Sequence, residues 1–192
     1  MEDRSYHHGD LRAALLAAAE VELTEKGVEA FSLRSVAKRA GVSHAAPAHH
    51  FGDARGLLTA LAVEGFRRFL ATQHRREALA APDPRAQLVA AGLGYVDFAL
   101  AYPALFRLVF SSDRPDFTDP ALCQAGDDAY AHLADQVTAA GGGPLETAAV
   151  WATAHGLADL LAAGRLKTLA TLPPEARDSA LAAVLTRSFP GS

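Results

Sequence analysis

Residues 31–51, FSLRSVAKRAGVSHAAPAHHF, decide the fold that we predict for this chain. Apolar side chains recur in this stretch at the i, i+3, i+4 and i+7 spacing of one helix face: Leu33, Val36, Ala37 and Ala40. Ser32 stands where a hydroxyl caps the start of this helix, and Gly41 where a left-handed residue ends it. Ser43 then caps a second helix that opens with His44. Two short helices joined by a glycine turn indicate a helix-turn-helix, whose second helix enters the major groove of DNA.

The charges of the same stretch favour contact with nucleic acid. Its basic residues are Arg34, Lys38 and Arg39, and no aspartate or glutamate accompanies them between Ser32 and Phe51. Such a surface suits the phosphates of DNA. The geometry alone is weak evidence, because short helix hairpins with a glycine turn are common in all-α proteins.

The segment SLRSVAKRAGVS, residues 32–43, resembles the DNA-binding signature of the tetracycline-repressor (TetR) family. Residues 49–61, HHFGDARGLLTAL, and residues 5–27, SYHHGDLRAALLAAAEVELTEKG, continue the resemblance over roughly the first third of the chain. The resemblance implies a helix-turn-helix DNA-binding domain of three helices in residues 1–53. It implies a helical regulatory domain, for ligand binding and dimerisation, in residues 54–192.

The rest of the sequence predicts an all-α protein of about nine helices. Half of the 192 residues are hydrophobic, alanine and leucine dominate, and no segment shows the alternation of a strand. A long helix is expected from Asp53 to about Leu79, and Asp83 and Asp119 each precede a proline at a helix start. The basic pairs Arg67–Arg68 and Arg75–Arg76 are interpreted as a solvated face. Residues 111–118 read as a mobile loop.

Charge and cysteine content restrict the function classes. The net charge of −4 means that any DNA contact depends on a local basic patch. The single cysteine, Cys123, excludes an internal disulfide and a multi-cysteine metal site. No apolar run is long enough for a membrane span and the N-terminus does not resemble a signal peptide, so we expect a soluble cytoplasmic protein with no membrane partner.

The second predicted helix is expected to read base edges, with phosphate contacts on both sides of it. The predicted DNA-binding residues are Arg34, Ser43, His44, Ala45, Ala46, His49, His50 and Arg55. Three positions depart from the family pattern. Ala48 stands where a tyrosine is usual, and His49 stands where an arginine is frequent. Ala54 stands where a lysine is usual, although the neighbouring Arg55 is able to take the place of that lysine. Lost phosphate contacts weaken binding without changing which sequence is read, so we expect weak binding at high salt.

The second half resembles a C-terminal type of the same family that is named for a Trp-His-Gly (WHG) signature. The signature falls on Trp151, His155 and Gly156, and residues 95–110, YVDFALAYPALFRLVF, are also similar to that type. His155 has two interpretations: a core histidine with a hydrogen-bond partner, or a polar anchor on the wall of a ligand cavity. On the second interpretation the predicted ligand-binding residues are Tyr95, Phe98, Phe106, Phe110, Tyr130, Trp151 and His155.

The last two long helices, Pro144–Leu166 and residues 175–188, are predicted to form the homodimer interface. A stripe of small residues on the first of them allows a partner helix to approach closely, and the family resemblance implies a four-helix bundle. The predicted interface residues are Ala148, Ala152, Gly156, Asp159, Ala163, Leu181, Val184, Leu185 and Ser188. The alternative is that this stripe packs inside its own subunit.

Enzymatic and metal chemistry find little support. No nucleophile motif or phosphate-binding glycine loop is present. The adjacent pairs His7–His8 and His49–His50 do not point the same way on a helix, so we predict no metal site and no cofactor.

The sequence therefore predicts a ligand-responsive transcriptional regulator. The expected activity is repression from an inverted-repeat operator in double-stranded DNA, bound as a homodimer and released by a small molecule. The alternative is a helical small-molecule sensor whose DNA binding is weakened or lost.

Overall fold

The computed structural model describes residues 8–188, with side chains described from residue 11 onward. This part of the chain contains ten α-helices. They are α1 (His8–Lys26), α2 (Leu33–Ala40), α3 (Ala46–Phe51), α4 (Ala54–Glu77), α5 (Pro84–Ala101), α6 (Pro103–Phe110), α7 (Pro120–Ala139), α8 (Pro144–Ala162), α9 (Lys167–Ala170) and α10 (Pro174–Thr186). None of the described residues lies in a strand, and the predicted all-α class is confirmed. The helix beyond the predicted nine is α9, only four residues long.

The contacts divide the chain into two compact units. The first unit takes in the chain up to Gly65 together with Ala104–Cys123, and the second takes in Phe66–Pro103 together with the chain from Gln124 on. Helix α4 therefore contributes its first half to one unit and its second half to the other. The predicted domain division between residues 53 and 54 follows the sequence motif and stays a prediction.

Aspartates begin three of the helices as the sequence predicts. The Asp53 carboxylate accepts a hydrogen bond from the Gly56 N–H at 2.8 Å, and Asp83 accepts from Ala86 at 3.0 Å. Asp119 accepts from the N–H of Leu122 at 3.0 Å. Each bond satisfies an N–H of the first helical turn that has no partner within the helix.

The first unit has an apolar core from α1, α2 and the first half of α4. Leu15, Ala19 and Leu23 lie one helical turn apart and are almost completely buried, as their spacing predicts. Other buried members of this core are Phe31, Val36, Ala37, Leu57, Leu58 and Leu61. Gly27 ends α1 with a φ of 73°, a left-handed conformation that glycine adopts without steric cost.

In the second unit α5 packs closely against α4 and α10 because glycines face those helices. A Cβ atom at Gly94 would lie 2.5 Å from the Cα atom of Gln73 in α4. A Cβ atom at Gly92 would lie 2.8 Å from a methyl group of Leu185 in α10. Side chains at these positions would therefore push the helices apart.

An arginine joins the same three helices electrostatically. The Arg76 guanidinium donates to both carboxylate oxygens of Asp97, at 2.5 and 3.0 Å, and to Asp178 at 2.7 Å. The hydrogen bonds that Arg76 donates to Asp97 raise the pKa of Arg76 most strongly, against a lowering by burial. The interpretation of Arg75–Arg76 as a solvated face is wrong for Arg76, because its partners are distant in sequence.

The segment 111–118, predicted to be a mobile loop, is non-helical but anchored in the first unit. The N–H of Asp116 donates to the Thr59 hydroxyl at 2.8 Å, and Pro115 is buried. Arg114 pairs with Glu29 at 3.4 Å. The prediction of mobility did not take these non-local contacts into account.

No single helix among the described residues has both the length and the apolar character to cross a membrane. Helices α5 and α6 meet that test only when they are taken together. Most of their apolar side chains are buried within the protein, as in the core helices of a globular fold.

Candidate functional site

The turn between α2 and α3 has the geometry of a helix-turn-helix. Gly41 has a φ of 69°, and its N–H donates to the carbonyl of Lys38 at 3.2 Å. The N–H of Val42 donates to the carbonyl of Ala37 at 3.1 Å, which completes a Schellman motif. The predicted role of Gly41 is confirmed. Ser32 is the N-cap residue of α2, but its hydroxyl makes no capping hydrogen bond.

The second helix of the motif, α3, begins later than the sequence predicts. It starts at Ala46, while the N–H of Ala46 donates to the backbone carbonyl of Ser43 at 3.1 Å in a preceding turn. His44 and Ala45 therefore belong to that turn, and the prediction that Ser43 caps a helix opening with His44 is wrong. Pro47 lies in the first turn of α3, as predicted, where its missing N–H costs least.

The predicted DNA-contact residues lie on an accessible surface around α3. Those that are exposed are Arg34, Ser43, His44, Ala45, His49 and Arg55, while Ala46 and His50 are half-buried. Lys38 is also exposed, so α2 presents two cations beside the recognition helix α3. A surface with small side chains and flanking cations can approach the edges of base pairs closely.

The third cation of α2 has a different role. Arg39 donates to Glu25 at 2.5 Å and contacts Glu22 at 3.4 Å, and both carboxylates belong to α1. Glu22 is only 3% exposed. The hydrogen bond to Glu25 raises the pKa of Arg39 and outweighs the lowering by desolvation. Arg39 therefore holds α2 against α1, and the interpretation of all three cations as phosphate ligands is wrong in this case.

Replacing Arg39 by methionine is expected to lower the thermal unfolding temperature by several degrees, because Glu22 would stay buried without its cation. The matched control is Lys38→Met, which removes the same charge from an exposed position of the same helix. Differential scanning calorimetry should show almost no change for the control. Equal unfolding temperatures for the two variants would contradict this role of Arg39.

Arg55, expected to replace the missing lysine at position 54, already has a protein partner. It lies 3.5 Å from Asp116, and both side chains are well exposed. Hydrogen bonds from the hydroxyl and N–H of Thr118, with a smaller contribution from Arg55, hold the pKa of Asp116 below its ordinary value. Asp116 is therefore negatively charged at neutral pH and competes with phosphate for Arg55.

The predicted ligand-binding residues form three groups, and a hydrogen bond between Trp151 and Tyr95 links the second group to the third. Phe106 and Phe110 belong to the first unit, where their ring centroids are 5.3 Å apart. Tyr130 and Trp151 meet edge to face at 6.2 Å, and both are exposed. The remaining three, Tyr95, Phe98 and His155, lie in the interior of the second unit or at its edge.

The third group contains a polar pair within apolar surroundings. The Tyr95 hydroxyl lies 2.9 Å from Nδ1 of His155, and Phe69 packs edge-on against both Tyr95 and Phe98. Burial raises the pKa of Tyr95, and a smaller effect of a hydrogen bond with Trp151 lowers it. The Tyr95 hydroxyl therefore stays protonated at neutral pH and is able to donate a hydrogen bond to Nδ1 of His155.

Clefts occur on the first unit, but the predicted ligand-binding residues do not line them. One is formed by Ala54, Arg55, Leu58, Asp113 and Arg114. Another runs from the end of α1 to α6 and includes Leu23, Gly27, Arg107 and Ser112. The ligand site therefore stays a prediction.

The predicted dimer residues differ in their accessibility. On α8 and just beyond it, Ala148, Ala152, Asp159 and Ala163 are exposed, and a Cβ atom at Gly156 would meet nothing within 4 Å. On α10, Leu181 and Leu185 are each 1% exposed, so they are part of the core of the second unit and offer no surface to a partner. Val184 and Ser188 are half-buried.

Helix-turn-helix geometry, an accessible recognition helix and flanking cations define a DNA-binding protein. Residues 15–61 match the protein family described as "Bacterial regulatory proteins, tetR family". Residues 88–187, over half of the chain, match the tetracyclin repressor-like C-terminal domain. The chain therefore belongs to the TetR family of transcriptional regulators. This membership gives it a regulatory and not an enzymatic role, while the narrower Trp-His-Gly type stays a prediction.

Individual proteins of known sequence or structure are similar to this chain. The HTH-type transcriptional regulator BetI of Burkholderia thailandensis is 30% identical over 184 residues, with 80% of this chain and 94% of BetI covered. A solved protein of unknown function from Rhodococcus sp. RHA1 is 36% identical, with a TM-score of 0.79 and coverage of 97% of this chain and 99% of that one. The regulator LfrR from Mycobacterium smegmatis has a TM-score of 0.63 at 19% identity, with 95% of this chain and 97% of LfrR covered, and so shares the fold.

Proposed function

We propose that this TetR-family regulator represses transcription by binding an inverted-repeat operator as a homodimer, and that a small molecule releases it. The observation that carries the proposal is the accessible surface of α3, flanked by the exposed cations Arg34 and Lys38. Repression is the simplest consequence of a bound dimer that blocks a promoter. A gel-shift assay with the DNA that flanks its own gene tests the first step.

Sequence reading in this proposal depends on the turn before α3. His44 is exposed there and can donate to an acceptor of guanine, and the Ala45 methyl group suits the methyl group of thymine. Few phosphate ligands support these contacts, because positions 48 and 54 are alanines and Arg55 is engaged by Asp116. Affinity should therefore start at a modest value at low salt and fall as salt rises. In the same assay, His44→Ala should change the preferred sequence.

The exposed small residues of α8 support a dimer through this helix. Ala148 and Ala152 permit close helix approach, and Gly156 has open space beside its Cα atom. Because Leu181 and Leu185 are already buried, α10 would contribute through its half-buried and exposed residues, such as Val184, Ala183 and Ser188. A two-fold axis would bring the same stripe of both copies together.

Replacing Ala152 by glutamate is expected to convert the dimer into a monomer. By symmetry the substitution introduces a carboxylate from each copy into the same interface, where an unpaired charge is costly. Sedimentation velocity at micromolar concentration measures the result. The control Ala71→Glu changes an exposed alanine of α4 and should leave the dimer intact. A monomeric wild type, or a dimeric Ala152→Glu variant, would contradict this interface.

The pair formed by buried Tyr95 and half-buried His155 supports an effector site in the second unit. A polar pair among apolar side chains can exchange its mutual hydrogen bond for one to a ligand, which fixes the ligand's orientation. LfrR, which shares the fold, was solved in complex with proflavine. We therefore expect an apolar or aromatic effector, which releases DNA only through a higher affinity for the released conformation.

Replacing His155 by alanine is expected to abolish or strongly reduce stabilisation by the effector. Thermal shifts of the wild type and of His155→Ala would be compared across small aromatics, lipophilic acids and organic cations. Thr153→Ala, a change on the same helix, is the control. If a compound stabilises wild type and His155→Ala equally, its site does not involve this pair.

A second candidate function is a small-molecule sensor without an operator. The alanines at positions 48 and 54 and the Arg55–Asp116 pair favour it, since each removes a phosphate contact. Effector binding without sequence-selective DNA binding would establish this alternative.

A further inference from the structure

Two histidines and a glutamate come together in the second unit, outside the regions proposed for DNA, effector and dimer contacts. His74 and Glu77 lie in the last turn of α4, three residues apart, and His132 belongs to α7. Their potential ligand atoms all lie within 4.8 Å of one another. His132 Nε2 is 2.7 Å from a carboxylate oxygen of Glu77, and the two imidazole rings meet edge to face at 4.8 Å.

The charge of this group points to a cation. The side chain of Glu77 is only 10% exposed, and a carboxylate at such a position needs compensation, which the hydrogen bond with the His132 imidazole supplies only in part. In the described part of the chain no lysine or arginine pairs with Glu77. Arg76 is bound by Asp97 and Asp178, while Arg75 donates to Thr72.

We propose that His74, Glu77 and His132 bind a zinc ion. Two imidazole nitrogens and one carboxylate oxygen form a ligand set that suits Zn²⁺, whereas Mg²⁺ and Ca²⁺ prefer oxygen ligands throughout. His74 is exposed, so the site opens to solvent on that side. A water molecule can therefore complete a tetrahedral coordination.

Small side-chain rotations bring the group to zinc geometry. Ligand atoms of a tetrahedral zinc ion lie about 3.3 Å apart when the bonds are about 2.0–2.1 Å long. The widest separation in the group, at most 4.8 Å, must shrink, and the 2.7 Å hydrogen bond between His132 and Glu77 must open. The exposed position of His74 allows its ring to turn inward without repacking the core.

The sequence contains a signal for part of this site, which the prediction of no metal site overlooked. His74-x-x-Glu77 is an i, i+3 spacing, which puts two ligands on one face of a helix. The third ligand, 55 residues further along the chain, is apparent only after folding. The prediction of no metal site is thus replaced by this proposal. Bound zinc would tie α7 to the C-terminal end of α4 and so stabilise the second unit.

Zinc titration of the full chain, free of any affinity tag and monitored against a chelating dye, tests the proposal. The wild type should bind one zinc ion per chain through this site. The His74→Ala variant changes an exposed residue and should fold normally. Its affinity for zinc should nevertheless fall by at least roughly 10–100-fold, the loss that follows when a group supporting a metal ligand is removed. Glu77→Gln should have a similar effect, and Mg²⁺ in excess should not compete.

In the control chain both adjacent pairs, His7–His8 and His49–His50, are replaced by alanine. This chain should bind zinc with the same affinity as the wild type. Calorimetric unfolding supplies a second readout, since zinc should raise the unfolding temperature of wild type and control but not of His74→Ala. The proposal would be overturned if His74→Ala bound zinc as the wild type does or if the wild type bound no zinc. It would also be overturned if only the control chain lost zinc binding. None of these measurements requires DNA, so they are independent of operator binding.

Discussion

Replacing Ala48 by glutamate is expected to reduce operator affinity by roughly 100-fold, the largest functional effect of any single change that we predict. Ala48 is exposed in the middle of α3, at the position where the family resemblance implies a phosphate-contacting side chain. A carboxylate there would face the phosphates, and like charges in contact cost several kcal/mol, where about 1.4 kcal/mol corresponds to a tenfold change. Fluorescence anisotropy with labelled DNA at fixed salt gives the affinity.

The control for this change is Ala71→Glu, which adds the same charge at an exposed position of the second unit and should alter DNA affinity only slightly. Ala48→Tyr provides the opposite test, because a phenol at this position adds a phosphate contact and should tighten binding at every DNA sequence. Equal effects of Ala48→Glu and Ala71→Glu would show that α3 does not face DNA.

Replacing Gly94 by alanine is expected to destabilise the second unit by about 2–3 kcal/mol and to lower the unfolding temperature by roughly 4–12 °C. The added methyl group would lie 2.5 Å from the Cα atom of Gln73 and 2.9 Å from the carbonyl oxygen of Thr72. Both contacts involve the backbone of α4, which cannot turn aside as a side chain can. The expected loss therefore exceeds the gain of up to about 1 kcal/mol that alanine brings to a helix interior.

Gly126→Ala is the matched control for the close approach of α4 and α5. Its methyl group would approach only the ring of Phe66, at 3.7 Å, an ordinary van der Waals contact, so better helix propensity should leave the protein equally or more stable. Urea unfolding followed by circular dichroism compares the two variants. If Gly94→Ala were as stable as Gly126→Ala, α4 and α5 would not approach each other as closely as described.

Local signals allowed much of the fold to be predicted. Gly41 and the aspartates Asp53, Asp83 and Asp119 mark helix ends through backbone geometry and short-range hydrogen bonds, which depend on a few neighbouring residues. The helix-turn-helix was therefore recognisable from about twenty residues. The start of α3 was misplaced by a few residues, because a turn and a first helical turn share the same residue preferences.

Contacts between distant segments were not predictable in this way. Arg39 and Arg76 both read as surface cations, but their carboxylate partners lie on other helices. The segment 111–118 reads as a mobile loop, but Thr59 anchors it. Likewise, the spacing of Leu181 and Leu185 identifies an apolar face without telling whether the chain itself or a partner covers it.

Selection of binding sites from random-sequence DNA by the full chain tests the central claim most directly. We predict enrichment of an inverted repeat whose half-sites are centred about 10 base pairs apart or a multiple of that spacing, as two symmetry-related recognition helices require. The Ala48→Glu variant should enrich no sequence under the same conditions. If the wild type enriches no motif at low salt, or enriches the same motif as Ala48→Glu, the proposal that α3 and the turn before it read an operator as part of a dimer is contradicted.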